Sequence, residues 1–261
     1  MAEQPNTRGT LAADLTALGV RPGETVLVHS SLRSLGWVCG GAVAVVQALL
    51  DVLGPSGTLV VPTQTMGNSD PSLWSRPPVP REWWPAIRET MPGYDPRFTP
   101  SVGLGVVAEL VRTWPGSVRS NHPQASFAAV GPAAPALMAV HRLDSHLGED
   151  SPLAALESAG ARVLLLGVGF DSCTAFHLAE YRTPSPTTEH GTAILAADGT
   201  RQWVTYVDVA TNSDDFAELG KSFEATGQVT TGTVGTATCH LFEVASAVAH
   251  AVDWLPAHRR A

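Results

Sequence analysis

Three polar residues spaced three apart are the strongest candidates for chemistry in this sequence. Thr174, His177 and Glu180 follow an apolar segment, and positions i, i+3 and i+6 share one face of a helix. An imidazole has an ordinary pKa of about 6.5, which suits a general base that works near neutral pH. We therefore expect His177 to act as a base in a cleft that Thr174 and Glu180 also face. The alternative is a core histidine hydrogen-bonded to Glu180.

A neighbouring cysteine offers a rival chemistry. Cys173 lies four residues before His177, near the predicted start of the same helix, where the helix dipole would lower the pKa of its thiol. This arrangement would allow a Cys173/His177 hydrolase, although burial is the commoner state of a free cysteine. The histidines and cysteines match no standard zinc spacing, so we expect no metal ion.

Two clusters combine an arginine with hydroxyl side chains, which suits the phosphates of a ligand. The first cluster consists of His29, Ser30, Ser31, Leu32, Arg33 and Ser34, and the second of Arg119, Ser120, Asn121 and His122. Two such clusters indicate a ligand with more than one phosphate, although a polar strand end would look the same. The sequence has no P-loop, and the turn after Leu166 lacks the third glycine of a dinucleotide-binding fingerprint.

The elements that must position these residues alternate between strand and helix periods, which predicts a layered α/β domain. The predicted elements are a helix from Thr7 to Leu18, strands at Glu24–Val28, Thr58–Val61 and Arg162–Leu166, and helices at Ala42–Leu53 and Leu241–Val252. The first two strands and the helix between them form a parallel crossover unit. The first cluster follows the first of these strands, and open α/β sheets bind ligands at the carboxyl ends of strands.

We predict a single domain over residues 1–261, with no internal repeat. Residues 62–100 are rich in proline and tryptophan and lack a regular period, so we expect a long active-site loop that forms a lid or wall. Ala193–Tyr206 is predicted to form a hairpin that turns at Asp198 and Gly199.

The composition excludes some classes of partner. The 261 residues include 24 acidic and 16 basic side chains, which gives a formal net charge of -8. Nucleic acid is not expected, because its binding needs a basic stripe, whereas a small cationic substrate would be attracted. No apolar stretch reaches the roughly 20 residues of a membrane helix, and an odd count of three cysteines favours a reducing compartment. We expect a cytoplasmic monomer or homodimer without membrane contacts.

Four blocks, in order along nearly the whole chain, resemble the signature blocks of the aminoglycoside N3-acetyltransferases. They read VLVHSSLRSLG from Val26, RSNHP from Arg119 with SFAAVG from Ser126, LGEDSPL from Leu147, and TAFHLAE from Thr174. The resemblance implies an α/β antibiotic N-acetyltransferase fold, a layered mixed sheet flanked by helices that is distinct from the commoner acetyltransferase fold.

The same resemblance implies acetyl-coenzyme A (acetyl-CoA) as donor and direct transfer of its acetyl group to an amine. The usual acceptor is the 3-amino group of a 2-deoxystreptamine aminoglycoside, and the reaction confers antibiotic resistance. In the family the histidine of the fourth block is the general base, here His177, and an acidic residue in the next strand, here Asp208, supports the histidine or the substrate. Thr174 or a backbone amide near Ser30 could stabilise the oxyanion.

The resemblance also assigns binding residues. The residues expected near the coenzyme are His29, Ser30, Ser31, Leu32, Arg33, Ser34, Arg119, Ser120, His122, Ser126 and Phe127. The carboxylates expected to face a polycationic acceptor are Asp70, Glu149, Asp171, Glu180 and Asp208. Several drug-resistance members have a second acidic residue two positions after Asp208, where this chain has Ala210. Acetylation of a different small-molecule amine is therefore the alternative function.

Overall fold

The strands form one seven-stranded mixed sheet and one separate hairpin in the part of the chain that the structure describes. The computed structural model describes residues 5–75 and 77–259. The strands are β1 (Thr25–Ser30), β2 (Thr58–Pro62), β3 (Val118–Arg119), β4 (Phe127–Val130), β5 (Arg162–Leu166), β6 (Thr187–Leu195), β7 (Arg201–Val209), β8 (Thr230–Val234) and β9 (Ala237–Glu243). The large sheet has the order β3-β4-β2-β1-β5-β9-β8, and β6 pairs with β7 alone.

Helices cover both faces of the large sheet. They are α1 (Arg8–Leu18), α2 (Gly41–Leu53), α3 (Trp84–Thr90), α4 (Gly105–Arg112), α5 (Ala134–Leu137), α6 (Pro152–Ser158), α7 (His177–Arg182), α8 (Phe216–Glu224) and α9 (Val244–His258). Buried side chains of α1, α2 and α4 pack on one face and those of α6 to α9 on the other, which confirms the predicted α/β layering. Within residues 5–75 and 77–259, no helix is long and apolar enough to cross a membrane.

The centre of the sheet is parallel. β1 lies between β2 and β5 and runs parallel to both, which confirms the predicted crossover unit. Its side chains are buried on both faces: Val26 and Val28 pack towards α1 and α2, and Leu27 packs towards the opposite face. Such two-sided burial is typical of parallel strands covered by helices. Because β2 and β5 lie on opposite sides of β1, the carboxyl end of β1 is the point where open α/β sheets bind ligands.

Some predicted boundaries are wrong. Leu241 and Phe242 belong to β9, where they pair with β5, and the last helix begins only at Val244. A short apolar run buried on both faces does not distinguish a strand from a helix. The segment before His177 also differs, because residues 170–176 form two 3₁₀ turns and not the first turns of one long helix.

The proline-rich region at 62–100 contains more regular structure than predicted. It includes α3 and short 3₁₀ turns at Pro71–Leu73 and Arg81–Trp83. It packs on the hairpin of β6 and β7, since Tyr94 forms a bridge with Ile194 and the Asn68 amide hydrogen-bonds the backbone of Ala193. The predicted hairpin is confirmed and is longer than expected.

Candidate active site

A cleft of about 570 Å³ opens where the parallel strands end. The chain after β1, β2 and β5 forms its walls, because the carboxyl ends of parallel strands meet at one edge of a sheet. The lining residues include His29–Arg33 at and after the end of β1, Pro62 and Gln64 at and after the end of β2, Asp171–Thr174 and His177 after β5, Gly103–Ala108, and Ser213. Among the described residues of the 62–100 region, only Pro62 and Gln64 line this cleft.

A glycine allows two of these walls to approach each other. Gly167 follows β5 with a φ of +72°, and a Cβ at this position would lie 2.8 Å from the Cβ of Ser34. A side chain there would force the loops after β1 and β5 apart. Gly167, which belongs to the partial dinucleotide-binding motif of the sequence, thus allows the loops after β1 and β5 to pack closely.

His177 is held by a buried carboxylate. Its Nδ1 lies 2.6 Å from Oε2 of Glu180, whose side chain is 1% exposed. The other oxygen of Glu180 accepts from the guanidinium of Arg259 and, at 2.9 Å, from the backbone N–H of Asn212. With Nδ1 donating to Glu180, Nε2 is the nitrogen that can accept a proton in the cleft. Glu180 itself is therefore buried behind the histidine and does not face the cleft as expected.

Thr174 and His29 lie beside this histidine. The hydroxyl of Thr174 is 3.2 Å from Nε2 of His29, and both residues line the cleft. Burial, together with the nearby charge of His177, lowers the pKa of His29 to about 4. His29 is thus neutral near neutral pH.

Cys173 does not have the environment of a reactive thiol. Its side chain is fully buried, and this burial raises the pKa of the thiol to about 12. The lowering expected from a helix dipole is not found, because the chain after Cys173 is a 3₁₀ turn and the desolvation of the thiolate dominates. The geometry argues against a cysteine hydrolase.

Asp208 supports a different histidine from the one expected. Its Oδ2 lies 2.6 Å from Nδ1 of His146 and accepts from the hydroxyl of Tyr181 at 2.8 Å. The backbone N–H of His146 donates to the same oxygen at 2.8 Å. Burial opposes ionisation, but the hydrogen bonds from His146 and Tyr181 keep the pKa of Asp208 below its usual range. The carboxylate bonded to His177 is Glu180, and Asp208 joins the hairpin to α7 through Tyr181.

The structure does not bring the Arg119 cluster to the cleft. The guanidinium of Arg119 donates to backbone carbonyls of Thr63 and Thr99 and to the hydroxyl of Ser126. The remaining members expected near the coenzyme are Ser120, His122, Ser126 and Phe127, all with exposures of 0%. Arg119, Ser120 and Ser126 link β3 and β4 to the proline-rich region through hydrogen bonds with Thr63, Tyr94 and Thr99. The first cluster, by contrast, reaches the cleft at every position except Ser34, which donates to the Ser31 hydroxyl at 2.9 Å.

The carboxylates expected at the acceptor site are mostly neutralised. Asp70 forms a two-point pair with Arg88, and although burial opposes it, this pairing lowers the pKa of Asp70 to about 2. Glu149 pairs with Arg182 at 2.6 Å. Glu180 and Asp208 are buried, as described above. Among the described residues, Asp171 is the expected carboxylate that lines the cleft and has no ion pair.

Some residues of the site have no sequence signal of their own. Arg259 and Ser213 reach the site from segments far along the chain, and nothing in their local sequence marks them. Away from the cleft, Gln124 accepts from the hydroxyl of Tyr206 through its Oε1 atom at 3.0 Å, a contact that the sequence also does not indicate. Within the described ranges, no group of three or more histidine, cysteine, aspartate or glutamate side chains could hold a metal ion.

Comparison with known proteins places these features in a family. The family model described as aminoglycoside 3-N-acetyltransferase matches residues 27–256. The SPbeta prophage-derived aminoglycoside N(3')-acetyltransferase-like protein YokD of Bacillus subtilis (strain 168) is 47% identical over 96% of this chain and 92% of its own length. Aminoglycoside N(3)-acetyltransferase VIII of Streptomyces fradiae is 40% identical over 96% of this chain and 92% of its own length.

Solved structures agree with this relationship. The crystal structure of YokD from Bacillus subtilis has a TM-score of 0.96 at 45% identity and covers 99% of this chain and 97% of that one. AAC-IIIb in a binary complex with CoASH has a TM-score of 0.86 at 33% identity, with 97% of each chain covered. AAC-VIa bound to sisomicin has a TM-score of 0.87 at 31% identity, covering 99% of this chain and 100% of the other. The expected antibiotic N-acetyltransferase fold is confirmed.

Proposed function

Because this chain belongs to the aminoglycoside 3-N-acetyltransferase family and is thus an acyltransferase, we propose that it acetylates the 3-amino group of a 2-deoxystreptamine aminoglycoside. Acetyl-CoA is the donor and His177 is the general base. The observation that carries this proposal is the orientation of His177, whose Nδ1 is held by the buried Glu180 while the ring lines the cleft.

The wall formed by the first cluster suits the coenzyme. Arg33 is exposed, lines the cleft and has no ion pair among the described residues, so its guanidinium is available to a phosphate. Ser31 accepts from Ser34, which leaves its own O–H free to donate. The cleft volume of about 570 Å³ lies within the usual range for small-molecule sites. The structure of AAC-IIIb with CoASH supports the same class of donor.

The reaction is a direct transfer within a ternary complex. The neutral amine attacks the thioester carbonyl while Nε2 of His177 takes a proton from the amine. The C–N bond forms, the C–S bond breaks, and the coenzyme leaves as a thiolate that receives the proton. Amide and free coenzyme are the products, and the base is regenerated.

The neighbouring groups assist the base and the transition state. Glu180 stabilises the imidazolium that forms when His177 takes the proton, because the carboxylate lies 2.6 Å from Nδ1. With its oxygen accepting from Nε2–H of His29, the Thr174 hydroxyl can donate to the developing oxyanion. His29 remains neutral in this role, because burial lowers its pKa to about 4.

A second acceptor class is favoured by a specific observation. Asp70, Glu149 and Glu180 are each paired with an arginine, and Asp208 is buried in hydrogen bonds to His146 and Tyr181. Ala210 takes the place of a second acidic residue. A polycationic acceptor gains less from a site whose carboxylates are neutralised. The same chemistry on an amine of lower charge is therefore the second candidate, although the sisomicin complex of AAC-VIa supports the aminoglycoside.

An acceptor panel tests the proposal. The protein is mixed with acetyl-CoA and gentamicin, kanamycin, neomycin or apramycin, and with simple primary amines in parallel. Free coenzyme thiol is followed with a chromogenic disulfide, and the acetylated nitrogen is located by NMR. Thiol release with an aminoglycoside and acetylation at the 3-amino group are expected. Thiol release only with simple amines would favour the second candidate, and no release with any acceptor would refute both.

A further inference from the structure

Arg259 follows the last helix, α9, and connects three separate parts of the active-site region. Its guanidinium donates to Oε1 of Glu180, to both oxygens of Asp215 at 2.5 and 2.7 Å, and to the backbone carbonyl of Asn212 at 2.5 Å. Glu180 lies on α7, whereas Asn212 and Asp215 precede α8. The arginine side chain is 26% exposed, so one edge of it reaches solvent.

The same guanidinium reaches His177 by a second route. It lies over the ring of Phe216, with 5.8 Å between Cζ and the ring centroid. The Phe216 ring in turn contacts the imidazole of His177, with 4.7 Å between ring centroids. Arg259 thus contacts the carboxylate of Glu180 and the ring face of Phe216, and both of these side chains contact the imidazole of His177.

Arg259 also fixes a piece of the cleft wall. Asn212 donates its N–H to Glu180 and accepts from Arg259 through its carbonyl, so its backbone is held at both ends. The next residue, Ser213, lines the cleft. Movement of Arg259 would therefore change both the wall at Ser213 and the partner of His177.

We propose that Arg259 is a positioning residue for the transfer reaction, which holds Glu180 so that one of its oxygens remains on Nδ1 of His177. A carboxylate that is 1% exposed is unfavourable without a positive partner. Arg259 supplies that partner on Oε1, which leaves Oε2 directed at the imidazole. This inference rests on the proposed role of His177 as base.

Removal of Arg259 has a defined effect on the pH dependence. The charged and titratable groups around His177 are Glu180 on α7, His29 at the end of β1, Asp171 after β5, and Arg259 with its partner Asp215. Without the guanidinium, the negative charge of Glu180 is less balanced and favours a protonated His177. The acid limb of the activity profile then moves to higher pH.

Arg259→Ala and Arg259→Lys are compared with wild type and with the control Arg8→Ala. Arg8 forms a comparable two-point pair with Asp51 between α1 and α2, and neither residue lines the cleft. We expect Arg259→Ala to lower kcat by about 10–100-fold, with KM for acetyl-CoA changed by less than about twofold, because misplacement of a reacting group acts mainly on the chemical step. Arg259→Lys, which keeps the charge but not the planar fork, loses less activity.

Millimolar guanidinium restores part of the activity of Arg259→Ala, since the site is partly exposed, whereas equal ionic strength of sodium chloride does not.

A spectroscopic readout does not depend on turnover. The Nδ1–H proton of His177 in its short bond to Glu180 gives a low-field proton resonance, identified by its loss in His177→Ala. We expect this resonance to shift or disappear in Arg259→Ala and in Arg259→Lys to a smaller extent, and to persist in Arg8→Ala. If Arg259→Ala does not fold, Arg259→Lys decides the question by the same measurements.

The outcomes separate this inference from the proposed function. Wild-type protein without acetyl transfer, or His177→Ala with full activity, would refute the proposed function, while the proton resonance would still test the role of Arg259. A wild-type kcat, pH profile and proton resonance in Arg259→Ala would overturn the inference alone. So would a loss of kcat that matches a loss of thermal stability and coenzyme affinity and that guanidinium does not rescue, because that result is typical of a structural clamp.

Discussion

Replacement of His177 by alanine tests the proposed role of this residue as general base. The neighbouring groups of the cleft cannot substitute for it: His29 has a pKa of about 4, and Glu180 is held by Arg259 and the Asn212 amide. The variant should therefore lose the full effect of a general base, about 10²–10⁴-fold in kcat. Because each factor of ten corresponds to about 1.4 kcal/mol, the barrier rises by about 3–5 kcal/mol.

The same substitution should have little effect on the fold. Glu180 retains two of its partners, so no buried carboxylate is left without a hydrogen bond, and the main loss is the contact of the imidazole with the Phe216 ring. The affinity for the coenzyme should also persist. The residues proposed to bind it, Ser31 and Arg33, follow β1, whereas His177 lies on α7. The variant thus separates the chemical step from binding.

The assay is steady-state release of coenzyme thiol at saturating acetyl-CoA and acceptor, with coenzyme affinity measured by calorimetry. His250→Ala is the matched control, since His250 lies on α9, donates to or accepts from Ser222 and does not line the cleft. Turnover of His177→Ala within about threefold of wild type would refute the base role, because loss of a general base lowers the rate by about 10²–10⁴-fold. A loss of kcat in His250→Ala would show that the effect is not specific to the cleft.

Three further outcomes follow from the environments of Cys173, His29 and Arg119. Cys173→Ser should retain activity within about twofold, and iodoacetamide should label Cys173 slowly in the native protein, because burial raises the pKa of its thiol to about 12. As the pH falls from about 6.5 to 4, the unfolded chain protonates His29 but the folded protein does not. Over this pH range the free energy of unfolding of wild type should therefore fall by about 3 kcal/mol more than that of His29→Asn. Denaturant unfolding at several pH values measures this difference. Arg119→Gln should lower the free energy of unfolding by about 2–4 kcal/mol, with an unchanged Kd for coenzyme, because its donors satisfy buried carbonyls.

Each of these outcomes has a clear opposite. Loss of turnover in a folded Cys173→Ser protein would revive the hydrolase hypothesis. Identical pH dependence of unfolding in wild type and His29→Asn would mean that the pKa of His29 is the same in the folded and the unfolded protein. A weaker Kd for coenzyme in Arg119→Gln without loss of stability would mean that Arg119 contacts the donor, as the sequence resemblance implied.

The sequence predicts those parts of the fold that depend on local pattern. The helix after Thr7, the crossover unit and the strand at Arg162–Leu166 are found where their periodicity and end signals place them. The cleft also lies where predicted, since it follows from the end of a parallel strand. His177, which the spacing and the block around it predicted to face a cleft, lines this cleft, and its role as base stays a prediction.

Partner choice among charged side chains was not predictable in the same way. Glu180 binds Arg259 across 79 residues, and Asp208 binds His146 across 62 residues, so no local pattern reports either pair. Arg119 resembles a phosphate ligand in sequence, but its donors are consumed by carbonyls of a distant segment. Residue type indicates what a side chain can bind, whereas the tertiary fold decides which groups reach it first.

The parallel register of β1 with β5 has a consequence for the order in which this enzyme assembles during synthesis. Val26 pairs with Arg162, so the two walls of the cleft meet only after most of the chain has left the ribosome. The support of His177 arrives later still, because Arg259 is made after α9. Nascent chains that stop before this point have the walls of the cleft but lack the arginine that holds Glu180. Acetylation at the full rate is therefore expected only once the last helix and Arg259 have been made.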